Sequence, residues 1–227
     1  QSEYMGAHWA FLRRISGFTG SAATMVVTAD KALLWTDSRY FIQAAQQLDG
    51  TEILLMKEGL PETPDILTWL THNLHHGKTV GVDGMLFSRT EADSLAATLG
   101  ARGIELKTDF DPIADTWPDR PALPQDKVFV HDIRYAGQSA ADKIAALLTA
   151  AADLGADAIF TSALDEIVWT LNIRAHDVPY TTVVTSFLYL SPKGNTLFVD
   201  ENKLDEAVRA HLAEAGVAVA GYGDVLP

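Results

Sequence analysis

Apolar residues along this chain follow two rhythms, and the rhythms alternate. "AATMVVT" and "ALLWT" are short apolar or β-branched runs separated by "ADK", the pattern of two strands closed into a hairpin. From Tyr40 the spacing changes. Tyr40, Phe41, Ala44, Ala45 and Leu48 line one side of a helix, with Gln43, Gln46 and Gln47 elsewhere around the cylinder. "TEILLM", "KTVGVD" and "IELK" then read as strands, with "TPDILTWLTHNL" and "SRTEADSLAATLGARG" as the helices between them. Alternation of this kind predicts an α/β fold, a mixed sheet flanked by helices.

The rhythm breaks at "TWPDRPALPQDK", Thr116 to Lys127, which has three prolines in twelve residues and no apolar period. Such a stretch reads as a linker. The expected division is a first domain over residues 1–116, a linker over 117–126 and a second domain over 127–227. The second domain opens on the strand "KVFVH" and a helix from Ser139 to about Leu154, capped by Ser139 with Asp142 three residues on. The strand "DAIFTS" and the helix "ALDEIVWTLN" follow, then a hairpin around Pro192, Lys193, Gly194 and Asn195.

That hairpin ends in an acid and runs into a helix, as the first one does. Aligning "LLWTDSRYFIQAAQQL" with "TLFVDENKLDEAVRAHL" sets Asp37 over Asp200, so the two domains are expected to be structural relatives. The repeat separates structure from function: a feature of both copies serves the fold, and a feature of one copy is a candidate for chemistry. Asp37 has its counterpart and reads as a helix cap, its carboxylate accepting from first-turn N–H groups. Arg39 stands opposite Asn202. A cation at the positive end of a helix is mildly unfavourable, so Arg39 points to an anionic partner.

Charge narrows the partners. With a net charge of −13 and a pI near 4.8, the surface repels a phosphate backbone, so neither nucleic acid nor an anionic membrane is expected. No apolar run approaches the roughly 18 residues that cross a bilayer. The chain has no cysteine and opens without a signal-peptide pattern, from which a cytoplasmic location is expected. Other motifs dissolve on inspection. "SGFTGS" (Ser16 to Ser21) lacks the Gly-Lys-Ser/Thr of a nucleotide loop and precedes a strand, so Gly17 and Gly20 read as turn residues. "HNLHH" spaces His72 and His76 four apart on an expected helix but has Asn73 where a zinc-protease motif needs Glu. Asp165 and Glu166 are adjacent and cannot converge on one atom, and read as helix N-terminal acids. Trp35 and Trp169 are assigned to the core. No Ser-His-Asp set or cysteine nucleophile can be assembled.

"ISGFTGSAATMVVTADKALLWTDSRYFIQAAQQL" resembles the first domain of the aminopeptidase P (Xaa-Pro aminopeptidase) family, whose three-domain cytosolic members carry a similar SGF-x-GS segment and a WTD-[SG]-RYF segment. "TSALDEIVWTLNIRAHDVPY" resembles the second domain, and "WPDRP" the junction. The resemblance implies two tandem creatinase N-terminal-like α/β domains, with a first strand of domain one expected upstream of Gln1. It implies that catalysis belongs to a further C-terminal domain, where carboxylates and a histidine hold two divalent ions, manganese or zinc, so that no cofactor is expected in this chain. The parent would be a homodimer that removes the first residue from peptides with proline second. By the same resemblance Arg39 binds substrate, while Asp37, Tyr40 and Phe41 are structural: Asp37 caps the helix and the two rings anchor it. The competing expectation is a peptide- or histone-binding module on the same fold, without catalysis.

Overall fold

The computed structural model describes residues 5–111, 113 and 116–225. The chain forms two compact units, Ala10–Arg120, and Gln1–Trp9 with Pro121–Pro227.

In the first unit, helix α1 (Phe11–Ser16) closes at Gly17, whose φ of 73° is one that glycine adopts without a steric penalty. Strands β1 (Ala23–Val27) and β2 (Ala32–Thr36) form the expected antiparallel hairpin, and β3 (Ile53–Lys57) joins β2 in parallel. Alternation along β2 divides its side chains between two cores. Leu34 packs with Phe18 and with Ala44 and Leu48, which helix α2 (Phe41–Gln47) and its end supply. Leu33 and Trp35 pack on the opposite side with Trp69 and Leu70 of α3 (Ile66–Asn73), Leu99 of α4 (Arg89–Gly100) and Ile104. The Trp35 indole also donates to the Pro64 carbonyl at 2.8 Å, so a buried N–H is satisfied. Asp65 caps α3 by accepting from the Thr68 N–H at 2.8 Å, and Ser88 and Glu91 form a reciprocal capping box on α4. A short parallel pair, β4 (Thr79–Gly81) and β5 (Glu105–Lys107), completes the unit.

The second unit repeats this plan. Strand β9 (Ser186–Leu190) pairs antiparallel with β10 (Asn195–Val199), which pairs in parallel with β11 (Val217–Gly221), and β7 (Ile159–Thr161) pairs antiparallel with β9 on its other side. Helices α6 (Ala140–Asp153), α7 (Leu164–Leu171) and α8 (Glu206–Glu214) share one core with Leu188, Leu197 and Val199. A two-stranded pair, β6 (Phe129–Val130) with β8 (Ile173–Arg174), and the single-turn helix α5 (Ile133–Ala136) lie outside the main sheet.

Several sequence expectations need correction. Asp37 begins a 3-10 turn, Ser38–Tyr40, and the α-helix starts only at Phe41. The same holds for Asp200, which caps the turn Glu201–Lys203, while α8 takes its own cap from Asp205. The shared acid therefore serves a turn that precedes each helix. Ala45, placed by its spacing on the apolar side, is exposed. Trp169 is half-exposed rather than core, because its ring covers the buried Lys143 ammonium at 4.3 Å from the ring centroid. Helix α3 stops at Asn73, so His76 is not on it; the His72 ring instead hydrogen-bonds the Thr68 carbonyl at 2.6 Å.

Candidate functional site

Two segments singled out by sequence, "SGFTGS" and "WTDSRYF", are far apart in the chain and laced together in the first unit. Thr36 ends β2 as a buried residue and donates to the Ala22 carbonyl at 2.6 Å, which fixes the exit of the strand. Asp37 follows in extended conformation and accepts from the Arg39 N–H at 3.0 Å. The same carboxylate takes the Arg39 side chain as a fork, Nε to Oδ1 at 2.9 Å and Nη2 to Oδ2 at 2.7 Å. Hydrogen bonds from the guanidinium hold the Asp37 carboxyl below the usual carboxylate range. Arg39 thus has the structural partner that the sequence repeat did not supply: the acid two residues before it offsets the unfavourable helix-end position.

The second copy is informative by contrast. Asp200 accepts from the Asn202 N–H at 3.0 Å, matching Asp37, but its other oxygen takes the Gln125 amide at 2.9 Å. Turn geometry is common to both units. Of the two aligned acids only Asp37 carries a guanidinium, although the second unit has a similar pair elsewhere, Arg134 on Asp132 at 3.4 Å. The Arg39 side chain is 66% exposed, and its guanidinium carbon lies 5.3 Å from the centroid of the Tyr40 ring. A cation whose fork is already fixed loses little freedom on meeting a carboxylate or a carbonyl.

Tyr40 joins this turn to the glycine-rich loop. Its hydroxyl and that of Ser21 share a 2.7 Å hydrogen bond, which lowers the Tyr40 pKa, and its ring stands edge-on to Phe18 at 5.8 Å. Gly20 makes this contact possible: a Cβ there would fall 2.2 Å from the Phe18 ring and 2.8 Å from that of Tyr40. Thr19 completes the lacing, its N–H donating to Gln47 Oε1 at 2.9 Å while its hydroxyl accepts from Gln43 at 2.9 Å and Gln47 at 2.8 Å. Sequence reasoning missed Thr19, Ser21, Gln43 and Gln47. In the sequence these glutamines stand only as residues off the apolar side of the helix, and their spacing of four is the available signal. Phe41 is outside the apolar clusters; half-buried, it lies 5.7 Å from the Lys57 ammonium and lines a shallow depression of about 400 Å³ with Ile42 and Ala45.

Among the described residues, no three His, Cys, Asp or Glu side chains are grouped to hold a metal ion. No helix among them is long and apolar enough to cross a membrane.

The Creatinase/Prolidase N-terminal domain family matches the chain twice, over residues 12–116 and over residues 119–227. Aminopeptidase P2 of Arabidopsis thaliana is 40% identical over 229 residues, covering 100% of this chain and 32% of the relative. A Xaa-Pro aminopeptidase of Caenorhabditis elegans is 35% identical over 225 residues, covering 99% of this chain and 36% of the relative. The crystal structure of the X-prolyl aminopeptidase from that organism, described as a cytosolic enzyme with a di-nuclear active site, matches with a TM-score of 0.93 at 35% identity, over 98% of this chain and 36% of that one. The chain spans about a third of the length of these relatives. With both units matched in turn, the chain belongs to the creatinase/prolidase N-terminal domain family and corresponds to the N-terminal creatinase-like region of Xaa-Pro aminopeptidases.

Proposed function

We propose that this chain is the non-catalytic, substrate-side portion of a metal-dependent Xaa-Pro aminopeptidase that releases the first residue from peptides with proline second. The observation that carries this reading is the match to the X-prolyl aminopeptidase fold across 98% of the chain. On this reading the metal pair, manganese or zinc, belongs to a catalytic domain in the longer protein. The chain supplies gating and peptide contact, and contributes to a homodimer in the cytosol. Arg39 is the contact residue: Asp37 fixes its fork, Tyr40 stiffens the turn through Ser21, and the exposed guanidinium meets a peptide carbonyl or carboxylate.

The test compares two purified polypeptides on an Xaa-Pro peptide with added manganese. The chain alone should release no amino acid, and the longer protein should release the first residue. Turnover by the chain alone would end the proposal. Peptide binding without turnover by the longer protein would replace it with the binding-module reading.

A further inference from the structure

A polar atom enclosed by the fold gives up water and needs a partner in exchange. Among the described residues, two buried side-chain atoms have no such partner, Asp177 Oδ1 and Thr185 Oγ1, and both belong to one cluster in the second unit. Asp177 lies shortly after β8, and Thr185 immediately precedes β9. The Asp177 side chain is wholly buried. Its Oδ2 accepts the Thr185 N–H at 2.6 Å and the ammonium of Lys203, which the turn after β10 supplies. One carboxylate oxygen thus fastens both ends of the loop 177–185 and ties them to a second element. Val178, Val183 and Val184 of this loop are buried in the core of the same unit. Tyr180, at the exposed tip, is held at a φ of 65°, which a bulky residue adopts only where its surroundings fix it.

The cluster is balanced in charge and short of hydrogen bonds. Lys203 has three N–H groups on its ammonium, is 1% exposed, and makes one side-chain hydrogen bond among the described residues, to the same Oδ2. The second carboxylate oxygen accepts nothing from them, and the Thr185 hydroxyl, both a donor and an acceptor, bonds neither that oxygen nor any other described group. Charge and size set what fits between a lone carboxylate oxygen and a hydroxyl. A further cation would be repelled by the Lys203 ammonium, and an anion by the carboxylate. A neutral molecule that donates twice and accepts twice satisfies all three groups. Water is the smallest such molecule, and internal waters make about three hydrogen bonds to buried polar groups.

We propose that Asp177 Oδ1 and Thr185 Oγ1 bind an internal water molecule, which donates to the carboxylate, bonds the hydroxyl and takes a Lys203 N–H as its third contact. The water completes the fastening at the base of the loop 177–185 by pairing the carboxylate oxygen that the ion pair leaves over. The inference rests on the second unit alone and stands apart from the peptidase reading.

The test is a crystal structure of the protein at a resolution that shows ordered water, with Thr185→Val and Thr185→Ser solved in the same crystal form and the melting temperatures of all three measured. In the unsubstituted protein, density for one water is expected within about 3.2 Å of both atoms. Thr185→Val replaces the hydroxyl by a methyl of similar size, so the density should be lost and the melting temperature should fall by about 2–4 °C, as for the loss of one buried hydrogen bond. Thr185→Ser keeps the hydroxyl and should keep the water. A structure in which the Thr185 hydroxyl donates directly to Asp177 Oδ1, with no density between them, would overturn the proposal. So would a water that stays in place in Thr185→Val, because Oγ1 would then not be what holds it.

Discussion

Arg39 illustrates what one residue discloses in sequence and what it withholds. The repeat marked it as the odd member, because Asp37 recurs as Asp200 while Arg39 is replaced by Asn202. Its fork on Asp37 was not legible, since a side chain folding back on an acid two residues earlier leaves no periodic trace. A second charged group escaped sequence reading for the opposite reason. Lys203, in the turn after Asp200, is buried and paired with the buried Asp177, which also accepts the Thr185 N–H at 2.6 Å. Only the fold brings positions 177 and 203 together. Lys203→Ala should destabilise the second unit by about 3–5 kcal/mol by stranding a buried carboxylate, readable as a shift in urea midpoint. A change below about 1 kcal/mol would mean that Asp177 finds other solvation. Asp37→Ala, by contrast, removes a half-buried turn cap, and a drop of a few degrees in melting temperature is expected.

Elements were legible where a single rhythm sufficed. Both hairpins and the Ser139 cap appear where the sequence pattern places them, whereas the strand Val217–Gly221 and the capping box at Ser88 were not read from it. The 3-10 turns after Asp37 and Asp200 were read as helix because one turn of either type begins with the same acid. The glycine-rich loop carried less signal than its role warrants, since the function of Gly20 is defined by the Phe18 and Tyr40 rings that it lets in. Gly20→Ala should cost about 1–3 kcal/mol through overpacking against Phe18, whose ring is buried, with chemical denaturation as the readout. The element ends also set an acid limit. Asp65, Glu91 and Asp200 all have lowered pKa values through the hydrogen bonds they accept at caps and turns. Their unfolded forms take up protons first, so this stabilisation is complete above the ordinary carboxylate range and fades as pH falls below about 4. Melting temperatures should be level from pH 8 to 5 and decline below that. A decline beginning above pH 6 would implicate other groups.

At the scale of the whole molecule, two related domains were visible in the alternation of rhythms, and the compact units divide in sequence between Arg120 and Pro121. The detail beside that division was not visible: Trp117 is buried, and Arg120 pairs with Asp111 at 3.5 Å. Pro121, Ala122, Gln125, Asp126 and Lys127 are exposed. Limited proteolysis with a nonspecific protease should therefore cut first within residues 121–127, and earliest cuts inside α7 would contradict the two-unit description. The claim that this chain serves recognition in a proline-specific aminopeptidase is tested most directly by Arg39→Ala in the longer protein, with kcat/KM for an Xaa-Pro peptide and the melting temperature measured on the same preparation. A charge-assisted contact to substrate predicts a fall of about ten- to a hundredfold in kcat/KM with an unchanged melting temperature, and no rescue by Arg39→Lys, which cannot keep the fork on Asp37. Full activity in Arg39→Ala, or a loss that only tracks unfolding, would contradict the account.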